Sequence, residues 1–125
     1  MDSMNAIRIH AYGGPEQLRY EKALIPAPGA GEILVRLYAT SVNPWDYKLA
    51  SGAFRDFVPL TFPYIPGGEY CGVVEAIGEG VTHLGPGDEV FGNCPLGAYA
   101  QWLAAPAQSA APKPKSIAPI DAAGL

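Results

Sequence analysis

The chain has 125 residues, with 8 Lys plus Arg against 12 Asp plus Glu and a formal charge of −4. That length allows one domain with a sizeable core and excludes a two-domain enzyme. Eight scattered basic residues make no stripe for phosphate contacts, which argues against nucleic acid as a partner. No apolar run approaches the roughly 20 residues of a membrane span, and no basic-plus-apolar leader precedes Ala6. We therefore expect a soluble, cytoplasmic protein without a membrane partner or an export signal.

The 15 Gly and 13 Pro are about twice ordinary usage, so the chain should fold around turns. Ala6–His10 alternates apolar and basic residues, which predicts a strand, and Gly13-Gly14-Pro15 breaks it. Leu18–Leu24 suits a second strand, ended by the Pro26–Gly31 segment, where prolines remove donors. Glu32–Val42 is rich in β-branched and aromatic residues and predicts a central strand. Asn43 then reads as an N-cap, Pro44 as the first helical residue, and Gly52 as the stop of a short helix through Ser51.

Phe54–Pro66 carries prolines and aromatic rings and predicts an ordered loop framing a pocket. Tyr70–Gly78, Asp88–Gly92 and Gly97–Leu103 predict three further strands, while Ala104–Pro114 shows no periodicity. Closely spaced strands with turns between them point to a mainly β fold, a small barrel or sandwich. Pro119–Leu125 reads as a helix that has just begun; seven residues do not hold a helix in water unaided, so we expect the natural protein to continue past Leu125.

Gly78-Glu79-Gly80 follows a strand as a dinucleotide fingerprint would, but position 83 is His and Gly85-Pro86-Gly87 stands where the helix would have to begin. The segment is therefore read as a turn. Asp46, Glu69, Cys71, His83 and Cys94 could each ligate a metal, yet none forms a short-spaced pair of nitrogen or sulfur ligands, so no metal is expected. Cys71 and Cys94 lack CxxC spacing and are expected to be free thiols, Cys71 as a core residue. The helix opening Asn43-Pro44-Trp45-Asp46-Tyr47-Lys48 brings an amide, a carboxylate and an amine together. Asp46 and Lys48 diverge by about 200° around a helix and should not pair. Taken alone, the three read equally as a cap, a partner of the helix dipole and a solvated lysine.

Five blocks in order resemble one family. They are Ile9–Glu16, Ser41–Lys48, Pro66–Val74, Gly85–Gly92 and Gly97–Gln101. Together they resemble the GroES-like catalytic domain of the medium-chain dehydrogenases/reductases, in the zinc-free quinone or enone reductase branch, from about Met4 to Leu125. The resemblance implies a partly open GroES-like β-barrel with one or two short helices, and a Rossmann cofactor domain absent from this chain. In the zinc alcohol dehydrogenases of that family a cysteine stands at the position of Asn43 and a histidine at that of Gly68, beside the retained Glu69. Only Cys94 stands where a four-cysteine structural zinc lobe would be. The resemblance thus implies hydride transfer from NADPH to a quinone or an α,β-unsaturated carbonyl without zinc.

It further implies that Asn43 and Lys48 are the catalytic and cofactor-binding residues. Lys48 would donate to the nicotinamide ribose or the developing enolate oxygen, and Asn43 would shape the pocket. Many relatives carry tyrosine at the position of Lys48. Trp45, Phe54 and Tyr64 are expected as pocket walls, Asp46 and Glu69 as structural supports, and a homodimer as the full-length state. The isolated domain is expected to be inactive. The rival reading is a stand-alone, non-catalytic GroES-like binding or scaffold module, because a fold does not fix a function.

Overall fold

A computed structural model describes residues 2–124. Leu125, the last residue of the expected terminal helix, lies outside the described residues. Seven strands and two α-helices follow in the order β1 (Ser3–Ile9), β2 (Leu18–Leu24), β3 (Glu32–Thr40), α1 (Pro44–Ser51), β4 (Glu69–Ile77), β5 (Glu89–Asn93), β6 (Trp102–Pro106), β7 (Ala110–Pro112) and α2 (Pro119–Ala122). No helix among the described residues is long and apolar enough to cross a membrane.

The strands form an antiparallel β1–β2 pair and a five-stranded antiparallel sheet in the order β6-β3-β4-β5-β7. Single bridges, Ala6 to Ala100 and Ile9 to Tyr64, fasten the pair to the rest, giving the partly open, mainly β GroES-like barrel that the motifs imply. β3 lies between β4 and β6 because alternate residues face inward: Ile33 and Val35 are fully buried while Arg36 is exposed. They pack with Tyr70, Val74, Val90 and Leu103 in the main core. Full burial of each such aliphatic side chain is worth about 1.5–3 kcal/mol.

Several boundaries differ from expectation. β1 begins at Ser3 rather than Ala6, because residues 3–5 pair with Lys22–Leu24 across the hairpin. The strand expected at Gly97–Leu103 starts only at Trp102. Residues 98 and 99 instead donate their backbone N–H groups to Gly67 and Pro66, and Tyr99 accepts from Ile7, which draws this segment onto the 66–67 turn and β1. The stretch after it, expected to be irregular, completes β6, makes a short 3-10 turn at Ala107–Ser109 and adds β7 at the sheet edge. Its alanines alternate inward and outward, a period masked by their small size.

The segment after β4 is a turn, as read. Gly31 donates to the Glu79 carbonyl at 2.8 Å, Gly78 donates to the Glu32 carbonyl at 2.7 Å, and no helix follows. The Phe54–Pro66 loop is anchored by rings. Tyr12 meets Phe62 edge-on at 4.9 Å, Phe62 meets Tyr64 at 5.9 Å, and Tyr64 exchanges two backbone hydrogen bonds with Ile9.

Candidate functional site

Helix α1 projects from the end of the central strand, and its sequence fixes what each side presents. Asn43, in extended backbone at φ −126°, caps it; Pro44 opens it; Gly52, at φ +89°, ends it in the left-handed region that favours glycine. Asp46, Leu49 and Ala50 form the buried stripe, whereas Trp45, Tyr47 and Lys48 are exposed.

A connected polar network lies at the helix start. The Asp46 carboxylate is only 6% exposed and reaches back to accept the Asn43 backbone N–H at 2.9 Å. The same oxygen accepts the Tyr99 hydroxyl at 2.8 Å. The Asn43 side-chain amide donates to the Glu69 carboxylate at 2.9 Å and to the Ser41 hydroxyl at 3.2 Å. Ser41 in turn donates to the Ala123 carbonyl at 3.1 Å, and Thr40 donates to the Glu69 carbonyl at 2.6 Å. Asp46 therefore caps the helix and also ties it to a segment 53 residues away.

Gly67 makes that tie possible. Its φ is +107°, and a Cβ there would lie 2.5 Å from the Tyr99 ring, so only glycine admits the ring that reaches Asp46. At Gly68 a Cβ would stand 3.2 Å from the Cys94 carbonyl and 3.9 Å from Asp46 Oδ1. Positions 43, 68 and 69 thus meet in one place, where the zinc-dependent relatives would carry two ligands and an acid.

The residues present do not suit a zinc ion. The Asn43 amide nitrogen is a donor engaged by Glu69, Gly68 has no side chain, and no group of three or more His, Cys, Asp or Glu gathers among the described residues. Cys94 donates its thiol to the Gly67 carbonyl at 3.6 Å; burial, helped by the Asp46 charge, pushes that thiol up to about 11, so it is neutral at pH 7. Cys71 is fully buried in β4, and burial raises its thiol as well. Both cysteines are free. His83 faces the Ala107 carbonyl and His10 pairs with Glu21 on the surface, both far in sequence from the network.

Burial also raises the tyrosines around Asp46. Tyr64 is pushed up to about 12 by burial, with Tyr12 and Asp46 adding to it. Tyr99 is raised by burial and then by its hydrogen bond to Asp46. The Tyr99 hydroxyl is thereby held neutral and donates to the Asp46 carboxylate.

The other expected site residues are dispersed around α1. Lys48 points outward, about 200° from Asp46; it is exposed and makes no ion pair among the described residues. Trp45 stacks on Phe54 at 5.2 Å on one flank of the helix. On the other flank, Tyr47, Ala50, Val42 and Ile9 line an apolar hollow of about 510 Å³ with Asp46 and Tyr99 in its wall. Tyr64 is buried against Ile9 and Ala50 and lines a separate hollow of about 730 Å³ with Met4 and Trp102. Within this chain, Trp45 and Phe54 share one surface and Tyr64 belongs to another. Sequence reasoning missed Ser41 and Tyr99: both sit outside α1, and neither has a spacing signal that joins it to Asn43 or Asp46.

The chain is similar to known proteins over most of its length. Residues 29–115 match the family model described as the alcohol dehydrogenase GroES-like domain. The chloroplastic quinone-oxidoreductase QR1 of Triphysaria versicolor is 35% identical over 126 residues, covering 98% of this chain and 38% of its own length. Among solved structures, the human synaptic vesicle membrane protein VAT-1 homolog-like protein superposes with a TM-score of 0.93 at 28% identity, over 99% of this chain and 40% of that one. The Escherichia coli quinone oxidoreductase complexed with NADPH gives 0.88 at 33% identity, over 95% and 36%. The chain therefore spans well under half the length of these relatives.

Proposed function

The chain belongs to the alcohol dehydrogenase GroES-like domain family of the medium-chain dehydrogenases/reductases, and from that membership we propose that it forms the substrate-side half of an oxidoreductase that uses NADPH to reduce a quinone or an α,β-unsaturated carbonyl without zinc. The observation that carries the reading is the Asn43–Glu69 hydrogen bond beside Gly68: where the zinc-dependent members of the family would hold a metal, this chain holds an amide against a carboxylate. Without a Lewis acid, charge building on the substrate oxygen must be met by hydrogen bonds or a cation.

Lys48 suits that task. Its ammonium has three donors and no ion-pair partner among the described residues, and it lies on the same exposed surface as Trp45. It would hold a ribose hydroxyl of the cofactor or the oxygen of the reduced substrate. Trp45 and Phe54, already stacked, would form a flat apolar wall for the body of the acceptor. Asn43 would shape the polar end of the site, with Asp46 and Glu69 holding it in place. When bound, NADPH supplies the hydride; the residues here supply position and electrostatics. Pyridine-nucleotide binding rests mainly on a second domain, so this chain by itself should not turn over.

Steady-state NADPH oxidation by the full-length protein, with 1,4-benzoquinone and with a simple enone as acceptors, tests the proposal. Turnover with at least one acceptor is the expected result. Failure with both, with NADPH bound and the protein folded, would overturn it.

A further inference from the structure

The hydroxyl of Ser41 sits between two groups whose hydrogen-bonding roles are fixed by chemistry. The Ala123 carbonyl has no proton, so at 3.1 Å the serine must donate to it. The serine's single proton is then spent, and toward Asn43, 3.2 Å away, its oxygen can only accept. The Glu69 carboxylate, 2.9 Å from the same amide nitrogen, likewise only accepts. These directions have one consistent solution: the NH₂ group of Asn43 faces Ser41 and Glu69, and both of its protons are used within the protein.

Rotating the amide by half a turn would put its oxygen against the carboxylate and against a hydroxyl with no proton to give. The chain reaches further than the site. Ala123 closes α2, and Ala122 and Ala123 pack against Cys71 in β4, so the amide is tied through one serine to the turn at the far end of the described chain. Ser41 itself lies in the two-residue connection between β3 and the Asn43 cap, half-buried, where no strand or helix bond fixes its side chain.

We propose that Ser41 is a positioning residue, whose hydroxyl, by donating to the Ala123 carbonyl and accepting from Asn43, works with the Glu69 carboxylate to hold the orientation of the Asn43 amide and couples it to the α2 turn. A consequence follows for the chemistry. Asn43 keeps no N–H for a substrate oxygen, so the donor to developing negative charge comes from another group, and Asn43 acts by shape and through its carbonyl side. The catalytic part of this inference rests on the proposed reductase activity; the structural part does not.

The test uses the full-length protein labelled with ¹⁵N-asparagine and three forms: unaltered, Ser41→Ala and Ser41→Thr. The Asn43 side-chain amide, identified by its disappearance in Asn43→Asp, should exchange its protons slowly in the unaltered protein. Exchange should be up to about 10-fold faster in Ser41→Ala and return toward the unaltered rate in Ser41→Thr, which keeps the hydroxyl. In the same preparations, turnover of NADPH with a quinone should fall by up to roughly 10-fold in Ser41→Ala, mainly in kcat, and recover in Ser41→Thr. A thermal midpoint within a few degrees of the unaltered protein separates this from misfolding. Unchanged amide exchange in a folded Ser41→Ala protein overturns the proposal, whatever the activity. Altered exchange with no turnover even in the unaltered protein keeps Ser41's orienting role and overturns the reductase reading instead.

Discussion

The inner and outer faces of α1 are built on opposite principles. Inward, Asp46 is nearly buried, accepts from the Asn43 backbone and from Tyr99, and is bounded by Gly67 and Gly68. Outward, Lys48 is exposed with no ion-pair partner among the described residues, and Trp45 is exposed on one side while stacked on Phe54. A buried polar group without a partner costs stability, so the inner face has to satisfy itself. A solvated cation and a half-covered ring carry no such cost and can be left for a ligand. The helix is held by one face and offers the other.

Substitutions on the two faces should therefore separate stability from activity. Asp46→Ala orphans two donors at once, the Asn43 backbone N–H at the cap and the Tyr99 hydroxyl, and should cost about 4 kcal/mol in a urea titration. A loss under 1 kcal/mol would mean that the inner network does not hold the helix. Lys48→Ala should do the reverse: stability within roughly 0.5 kcal/mol, but kcat or NADPH affinity in the full-length protein down by roughly 100-fold. Unchanged kinetics with both cofactor and acceptor would remove Lys48 from the site.

Smaller effects sharpen the picture of the inner face. Tyr64 and Tyr70 are each pushed up to about 12 from an ordinary value near 10, first by burial. Between those values the unfolded chain has released protons that the folded chain retains, so stability is fully present below pH 10 and falls as the pH rises toward 12. Urea midpoints measured from pH 8 to 11 should decline above 10; a flat profile would contradict the burial of these hydroxyls. Tyr64→Phe removes a hydroxyl buried without a protein partner. It should leave stability equal or higher by up to about 1 kcal/mol and blunt the alkaline decline.

Local signals account for what the sequence made legible. β2 and α1 were readable because their boundaries are written in neighbouring residues: the breakers around 13–15 and 26–31, the Asn43-Pro44 start and the Gly52 stop. β6 was misplaced because Tyr99 and Ala98 are drawn to Pro66 and Gly67, contacts between residues some thirty positions apart. β7 was missed because three small residues at a sheet edge carry no periodic signal. The same limit applies to the site. Asn43, Asp46 and Lys48 stand within six residues, and their divergence around the helix follows from its pitch. Tyr99 and Ser41 gain their roles only when the Gly67–Gly68 turn and α2 are folded against them, which no spacing rule anticipates. The family motifs singled out Asn43 and Glu69 separately, and the hydrogen bond between them emerges only in the folded chain.

In the proposed reductase an amide–carboxylate pair, Asn43 against Glu69, would occupy the place of a metal. Metal analysis of the full-length protein during NADPH-dependent quinone reduction, before and after exhaustive chelation, tests it most directly. Far less than one zinc per chain and a rate unchanged by chelation are the expected results. One zinc per chain, with turnover lost on chelation and restored by zinc, would contradict it.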